Sequence, residues 1–150
     1  MNWPPGAHAS TFGGNPVAIA AALETIDLIE KKYLAQASRV GQHLLARLND
    51  WPQRHRLVGD VRGKGLMIGI DLVKDKATKE HATEERDHLV RLCFQKGLLV
   101  LGCGSSTLRL MPPLCVDQEQ ADIALDIIED ALNKIEKKGA RAKAGKSKAR

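Results

Sequence analysis

His8-Ala9-Ser10-Thr11-Phe12-Gly13-Gly14-Asn15-Pro16 runs without a break into Val17-Ala18-Ile19-Ala20-Ala21-Ala22-Leu23. The first half is built of small and hydroxyl residues with two adjacent glycines, the composition of a loop. The second half is a strong helix start. Asn15 is placed to cap, and Pro16 takes the first helical position, where a missing N–H is no loss. Glycines let a backbone turn tightly and approach a ligand, and Ser10 and Thr11 bring hydroxyl donors beside them. Those are the requirements of a site for a small anion such as phosphate. The competing reading is a polar connector that only aims the helix behind it.

Downstream of Pro16 the spacing of Ile19, Leu23, Ile26, Leu28 and Ile29 is helical, and the alanines favour helix intrinsically. A second helical stretch carries Leu34, Ala37, Val40, Leu44, Leu45 and Leu48 and closes before Trp51-Pro52. Continuity of the two through Lys31-Lys32-Tyr33 is left open. The period then changes: residues 57–62 and 66–73 read as strands around a turn at Gly63-Lys64-Gly65. A helix is expected over 79–95, with Leu89, Val90, Cys93 and Phe94 on its apolar face and Lys96-Gly97 at its end. Residues 98–101 and 107–111 read as short strands, the second stopped by Pro112-Pro113. Asp117 with Gln120 has the pattern of a capping box, opening a helix with Ile123, Leu125, Ile127, Ile128 and Leu132 inside. The expected fold class is α+β, a small sheet with helices on one face.

Composition narrows the function classes. Hydrophobic residues make up 43% and charged residues 27% of 150, an ordinary globular balance. No apolar run is long enough for a membrane helix, and no basic-then-apolar signal peptide is visible. Cys93, Cys103 and Cys115 form no CxxC and leave one unpaired, so a reducing, cytoplasmic setting is expected. The net charge of +5 is concentrated in residues 134–150, with eight basic side chains against one acid, Glu136. The preceding residues hold fifteen basic against seventeen acidic, so the body is slightly acidic. Residues 139–150 are low in complexity, lack large apolar side chains and are expected to be a disordered tail. With no interleaved aromatic to stack a base, a nucleic-acid role is not expected.

Arg109 is the second residue of interest. Strand alternation puts Thr107, Arg109 and Met111 on one face, Leu108 and Leu110 on the other. An arginine between leucines is expected to be partly buried, and a buried guanidinium requires an anionic partner. That partner is either an acid of the chain, such as Asp71 or Asp60, or a bound carboxylate, which the planar fork grips with two bonds. The remaining candidates carry no clear chemistry. Gly63 to Gly69 is not GxGxxG, and no Gly-x-Ser-x-Gly elbow is present. Cys103 has no base beside it, and His43, His55, His81 and His88 lack ligand spacing, with His81 and His88 expected on a helix surface. No metal site is expected. Lys64 reads as an exposed turn lysine.

Three segments, in order, are similar to the class-III aminotransferases: Gly6 to Pro16, Arg62-Gly63-Lys64-Gly65-Leu66-Met67-Ile68-Gly69, and Leu108-Arg109-Leu110-Met111-Pro112-Pro113-Leu114. Trp3-Pro4-Pro5-Gly6 most resembles the 4-aminobutyrate branch, with the acetylornithine enzymes close by. The resemblance implies the C-terminal part of a fold-type-I pyridoxal-phosphate-dependent transferase. On that basis residues 1–15 are a remnant loop of the large cofactor domain, and 16–50 are the linking helix or helices. Residues 51–138 form a small α+β domain and 139–150 the basic tail. Met1 would then be an internal methionine of longer relatives.

The same resemblance implies transfer of an amino group from an ω- or α-amino donor to a 2-oxo acid through pyridoxal 5'-phosphate, in a homodimer. It makes Thr11, with Ser10, a ligand of the cofactor phosphate of the neighbouring subunit, and Arg109 the ligand of the substrate carboxylate. The Schiff-base lysine of the family falls before the first matching segment, so no catalytic residue is assigned and the piece alone is expected to be inactive. A racemase of the same fold, or a non-enzymatic anion-binding α+β module, are the alternatives.

Overall fold

The computed structural model describes residues 2–147, with side chains as far as Gly139. Asn15 caps helix α1 (Pro16–Leu28) as its sequence suggests, its Oδ1 accepting from the N–H of Val17 at 2.9 Å and of Ala18 at 3.3 Å. A π-helical turn (Ile29–Tyr33) joins α1 to α2 (Leu34–Leu48), so the two helical stretches are continuous. α1 buries none of its residues, whereas α2 buries Val40, Gly41, Leu44 and Leu48. A short helix, α3 (Trp51–Arg54), follows where the sequence suggested only a stop, and Trp51 is fully buried.

The sheet is built from β1 (Val58–Lys64), β2 (Met67–Asp75), β4 (Leu101–Cys103) and β5 (Thr107–Leu110), in the order β1-β2-β5-β4, all antiparallel. A two-residue β3 (Glu80–His81) pairs with the end of β2. Lys64 lies opposite Met67, so the hairpin turn is Gly65-Leu66, one step later than expected, with Gly65 at φ +56°. Helix α4 (Thr83–Gln95) begins after β3, four residues later than its periodicity suggested, because Lys79 takes φ +57° and residues 80–81 pair with β2. It ends where expected: Gly97 N–H bonds to Phe94 O and Leu98 N–H to Cys93 O, the paired bonds that close a helix on a left-handed glycine.

α5 (Gln118–Ser147) opens on a reciprocal cap. Asp117 Oδ1 accepts from Gln120 N–H at 2.8 Å, and Gln120 Oε1 accepts from Asp117 N–H at 3.2 Å. The helix carries on to Ser147, so much of the segment expected to be disordered is helical. Alanine, lysine and arginine favour helix intrinsically. Residues 148–150 lie outside the described residues.

Helices α2, α4 and α5 cover one face of the sheet. Val58, Ile68, Ile70, Leu72 and Leu108 point inward against Leu44 and Leu48, Leu89 and Cys93, and Leu125, Ile128 and Leu132. Each such aliphatic side chain contributes about 1.5–3 kcal/mol on leaving water. Two residues expected inside are not: Phe94 is 66% and Ile123 53% exposed, Phe94 standing one position beyond buried Cys93 and Ile123 on the face of α5 opposite buried Ala121 and Leu125. Acids on α5 then fix the other elements. Asp122 accepts from Arg47 Nη1 at 2.8 Å and bonds His43 Nε2 at 2.6 Å, Glu129 pairs with Arg54 at 2.7 Å, and Glu136 accepts the N–H of Leu57 at 2.7 Å. No helix among the described residues is long and apolar enough to cross a membrane.

Gly41 is the tightest contact between layers. A Cβ on it would overlap the Gly65 carbonyl in the backbone of the β1–β2 turn, so α2 and the hairpin touch main chain to main chain. Gly41→Ala is expected to destabilise the chain by about 1–3 kcal/mol, the usual cost of overpacking, read as a lower urea midpoint at unchanged slope.

The α2–α5 clasp has a defined pH sign. Hydrogen bonds from Arg47 and then His43 hold the Asp122 carboxyl below its ordinary value of 3.8. A depressed folded value contributes stability that is present above 3.8 and lost as pH falls through the folded value. Asp122→Asn is therefore expected to flatten the acid limb of a stability–pH curve below that point and to change nothing in its slope at neutral pH. A limb as steep as the parent's would assign acid sensitivity elsewhere.

Candidate functional site

The helices leave the other face of the sheet open, and the register decides what stands on it. Between Val58 and Asp60 the strand bulges: two residues of β1 oppose one of β2, so Val58 faces the core while Asp60, Arg62 and Lys64 face away. Across the sheet, Arg62 lies opposite Gly69, Gly69 opposite Arg109, and Arg109 opposite Leu101. The next row holds Asp60, Asp71, Thr107 and Cys103. The alternation expected for β5 is met, with Leu108 fully buried and Arg109 half-buried on the opposite side.

Neither acid expected as an internal partner pairs with Arg109. Asp60 Oδ2 accepts from Arg62 Nη1 at 2.8 Å. Asp71 Oδ1, diagonal to Arg109, accepts from Thr107 Oγ1 at 2.9 Å and Ser106 Oγ at 3.3 Å. Arg109 Nε is buried with no hydrogen-bond partner, and among the described residues Arg109 makes no ion pair. A buried donor left unsatisfied costs about 1–3 kcal/mol, which an incoming carboxylate recovers by accepting from the guanidinium fork. Arg109 stands with Arg62, Lys64 and Thr107 on a groove of about 700 Å³.

Ser10 and Thr11 lie elsewhere. They sit in a chain of turns before α1, in which Ser10 O accepts from Gly13 N–H at 3.4 Å and Phe12 O from Asn15 N–H at 3.3 Å. Both residues are exposed, and neither hydroxyl bonds within the described chain. That leaves two free O–H donors beside left-handed Gly14 (φ +80°), a donor set that suits an anionic phosphate. His8, in the same loop, stacks on Trp3 with ring centroids 3.8 Å apart. No groove lined by Arg109 includes Ser10 or Thr11, so this chain alone does not bring the two expected halves together.

Other polar groups are accounted for by structure. His81 is in β3 rather than on a helix, its Nδ1 3.0 Å from Ser106 Oγ. Lys64 closes β1 instead of sitting in the turn. All three cysteines are free, and burial pushes the Cys93 thiol up to about 11, which makes it inert at neutral pH. Among the described residues no cluster could hold a metal ion. Arg62 lines the groove with Arg109, although sequence reading gave it no place there. The Asp60-Arg62-Lys64 alternation was visible, but its face depends on the bulge.

The sequence profile described as Aminotransferase class-III matches residues 1–132. A leucine/methionine racemase from Thermococcus litoralis is 45% identical over 134 residues, covering 89% of this chain and 30% of its own length. An isoleucine 2-epimerase from Lentilactobacillus buchneri is 39% identical, covering 87% of this chain and 29% of its own. An amine transaminase from an uncultivated Pseudomonas species, solved in its PLP-bound form, superposes with a TM-score of 0.77 at 34% identity, over 86% of this chain and 30% of that one. The chain thus spans about 30% of the length of the relatives it matches. Fold, motif order and profile agree: the chain belongs to the class-III aminotransferase family.

Proposed function

We propose that this chain supplies the substrate-carboxylate side of a pyridoxal-phosphate-dependent transaminase, which moves an amino group from an ω- or α-amino donor to a 2-oxo acid. The observation that carries the reading is Arg109: a half-buried guanidinium with an unpartnered Nε, on the open face of a sheet whose nearby acids are already engaged. Arg109 binds the carboxylate by two parallel bonds and fixes the orientation of the neighbouring carbon. Thr11, with Ser10, donates to the cofactor phosphate. Because neither hydroxyl lines the groove with Arg109, a homodimer in which the loop serves the neighbouring subunit accounts for their separation. When bound, pyridoxal phosphate supplies an electron sink for the substrate carbon. No lysine of this chain is assigned the amine role. The free thiols fit a reducing, cytoplasmic setting.

The racemase and the epimerase among the relatives favour a second reading, in which the same carboxylate grip serves inversion at the substrate carbon. One assay separates the two. A single L-amino acid incubated without any 2-oxo acid gives the D-enantiomer catalytically from a racemase, and from a transaminase no D-enantiomer and at most one equivalent of 2-oxo acid per site.

The Arg109 role is tested in an enzyme that joins this chain to the cofactor domain of a class-III relative. Arg109→Ala is expected to lower kcat/KM for carboxylate-bearing donors by about 2–5 kcal/mol, and Arg109→Lys by less, since charge survives but the fork is lost. An amine donor without a carboxylate is expected to lose far less, and cofactor retention to hold. Equal losses for both donor types would make Arg109 a structural residue.

A further inference from the structure

The acid diagonal to Arg109 in the sheet is held away from it. Gly69 lies opposite Arg109 and Asp71 opposite Thr107, so these four make one box on the open face, with Asp71 and Arg109 across its diagonal. Diagonal neighbours stand about 7–8 Å apart, within reach of a long side chain. No such pair forms, and Arg109 Nε stays buried without an acceptor. Asp71 Oδ1 instead accepts from Thr107 Oγ1 at 2.9 Å and from Ser106 Oγ at 3.3 Å. Ser106 Oγ, its one proton given to Asp71, accepts in turn from His81 Nδ1 at 3.0 Å.

The two branches of Thr107 explain how the bond is set. Its Cγ2 lies over Gly69, where an added Cβ would come within 3.2 Å of it. A β-branched side chain has few χ1 choices, so the methyl over the bare glycine and the hydroxyl turned to Asp71 go together. Without that hydroxyl, Asp71 would keep only the longer bond from Ser106. Arg62 lies on its other diagonal but already donates to Asp60 at 2.8 Å. Arg109 is the cation in the box that lacks an acceptor, so a released Asp71 turns to it.

We propose that Thr107 is a positioning residue, whose hydroxyl holds Asp71 off Arg109 and so keeps the guanidinium open to an incoming carboxylate. This rests on the reading that Arg109 binds the substrate carboxylate. The rival account is a bond that only ties β5 to β2.

The test uses the 150-residue chain itself, titrated with butyrate at low ionic strength and followed by the amide resonance of Arg109. Thr107→Val removes the hydroxyl and keeps the branch. It is expected to weaken butyrate roughly threefold to fivefold, the scale of a partly exposed charge pair. Thr107→Ser is expected to restore most of that affinity, and Thr107→Ala to read like valine should valine disturb the sheet. In an Asp71→Asn background the loss of the hydroxyl is expected to cost nothing. No loss in Thr107→Val, the same loss in both backgrounds, or a serine variant as weak as the valine one overturns the proposal. A second readout needs no ligand. In free Thr107→Val the Nε–H resonance of Arg109 is expected to shift, because it has gained Asp71 as acceptor, and an unmoved resonance overturns the proposal too. The carboxylate reading of Arg109 fails separately, if the parent binds no butyrate or Arg109→Gln binds it equally well, and the Nε–H resonance then still decides the role of Thr107.

Discussion

The single-residue bulge in β1 is the constraint on which the site depends. Side chains of a strand alternate, so the register that buries Ile68, Ile70 and Leu108 against the helices also turns Gly69 and Arg109 outward. β1 could not join that scheme as a regular strand. Val58 is fully buried, and without the bulge Asp60, Arg62 and Lys64 would share its inward face. Gly59 sits at the irregularity, where a Cβ would run into the Val73 side chain at 2.8 Å. The bulge lets one strand contribute valine to the core and arginine to the groove. The main-chain contact between Gly41 and Gly65 holds the far end of the same hairpin against α2.

Apolar burial holds the layers together, and the ion pairs along α5 orient them. Asp122, Glu129 and Glu136 reach α2, α3 and the start of β1 in turn, spaced so that each meets one element. Pairs this exposed contribute little energy singly. Their value is angular, since a helix free to roll about its axis would carry the buried leucines out of register with the sheet. α1 has no such partner among the described residues: Val17, Leu23 and Ile26 are exposed along a helix that is continuous with buried α2.

Features written in local chemistry were legible in the sequence. The Asn15 cap, the Asp117–Gln120 box and the Gly97 stop need only residues a few positions apart, and the structure places all three as expected. Features that depend on packing were not. Phe94 and Ile123 sit in helices that periodicity finds, yet Phe94 falls just off the stripe that meets the sheet and Ile123 on the opposite face. Trp51 read as a stop because its proline neighbour masked a short helix that the core then buries. The face of Arg109 was legible because β5 is regular over four residues, while that of Arg62 was hidden behind an unpredictable bulge.

Structural economy gives no reason for Arg109 to be left unpaired. Asp71 is diagonal to it on the neighbouring strand, near enough in the lattice of the sheet for a long arginine to reach. Instead Thr107 and Ser106 hold Asp71 with two hydroxyl bonds, and Arg62 holds Asp60. Each local acid is given to a different donor, and the guanidinium with the greatest need of an anion receives none. A buried donor left without an acceptor costs stability, about 1–3 kcal/mol. The proposed carboxylate grip accounts for that pattern, since it gives the unpartnered Nε of Arg109 an acceptor that the engaged acids around it do not.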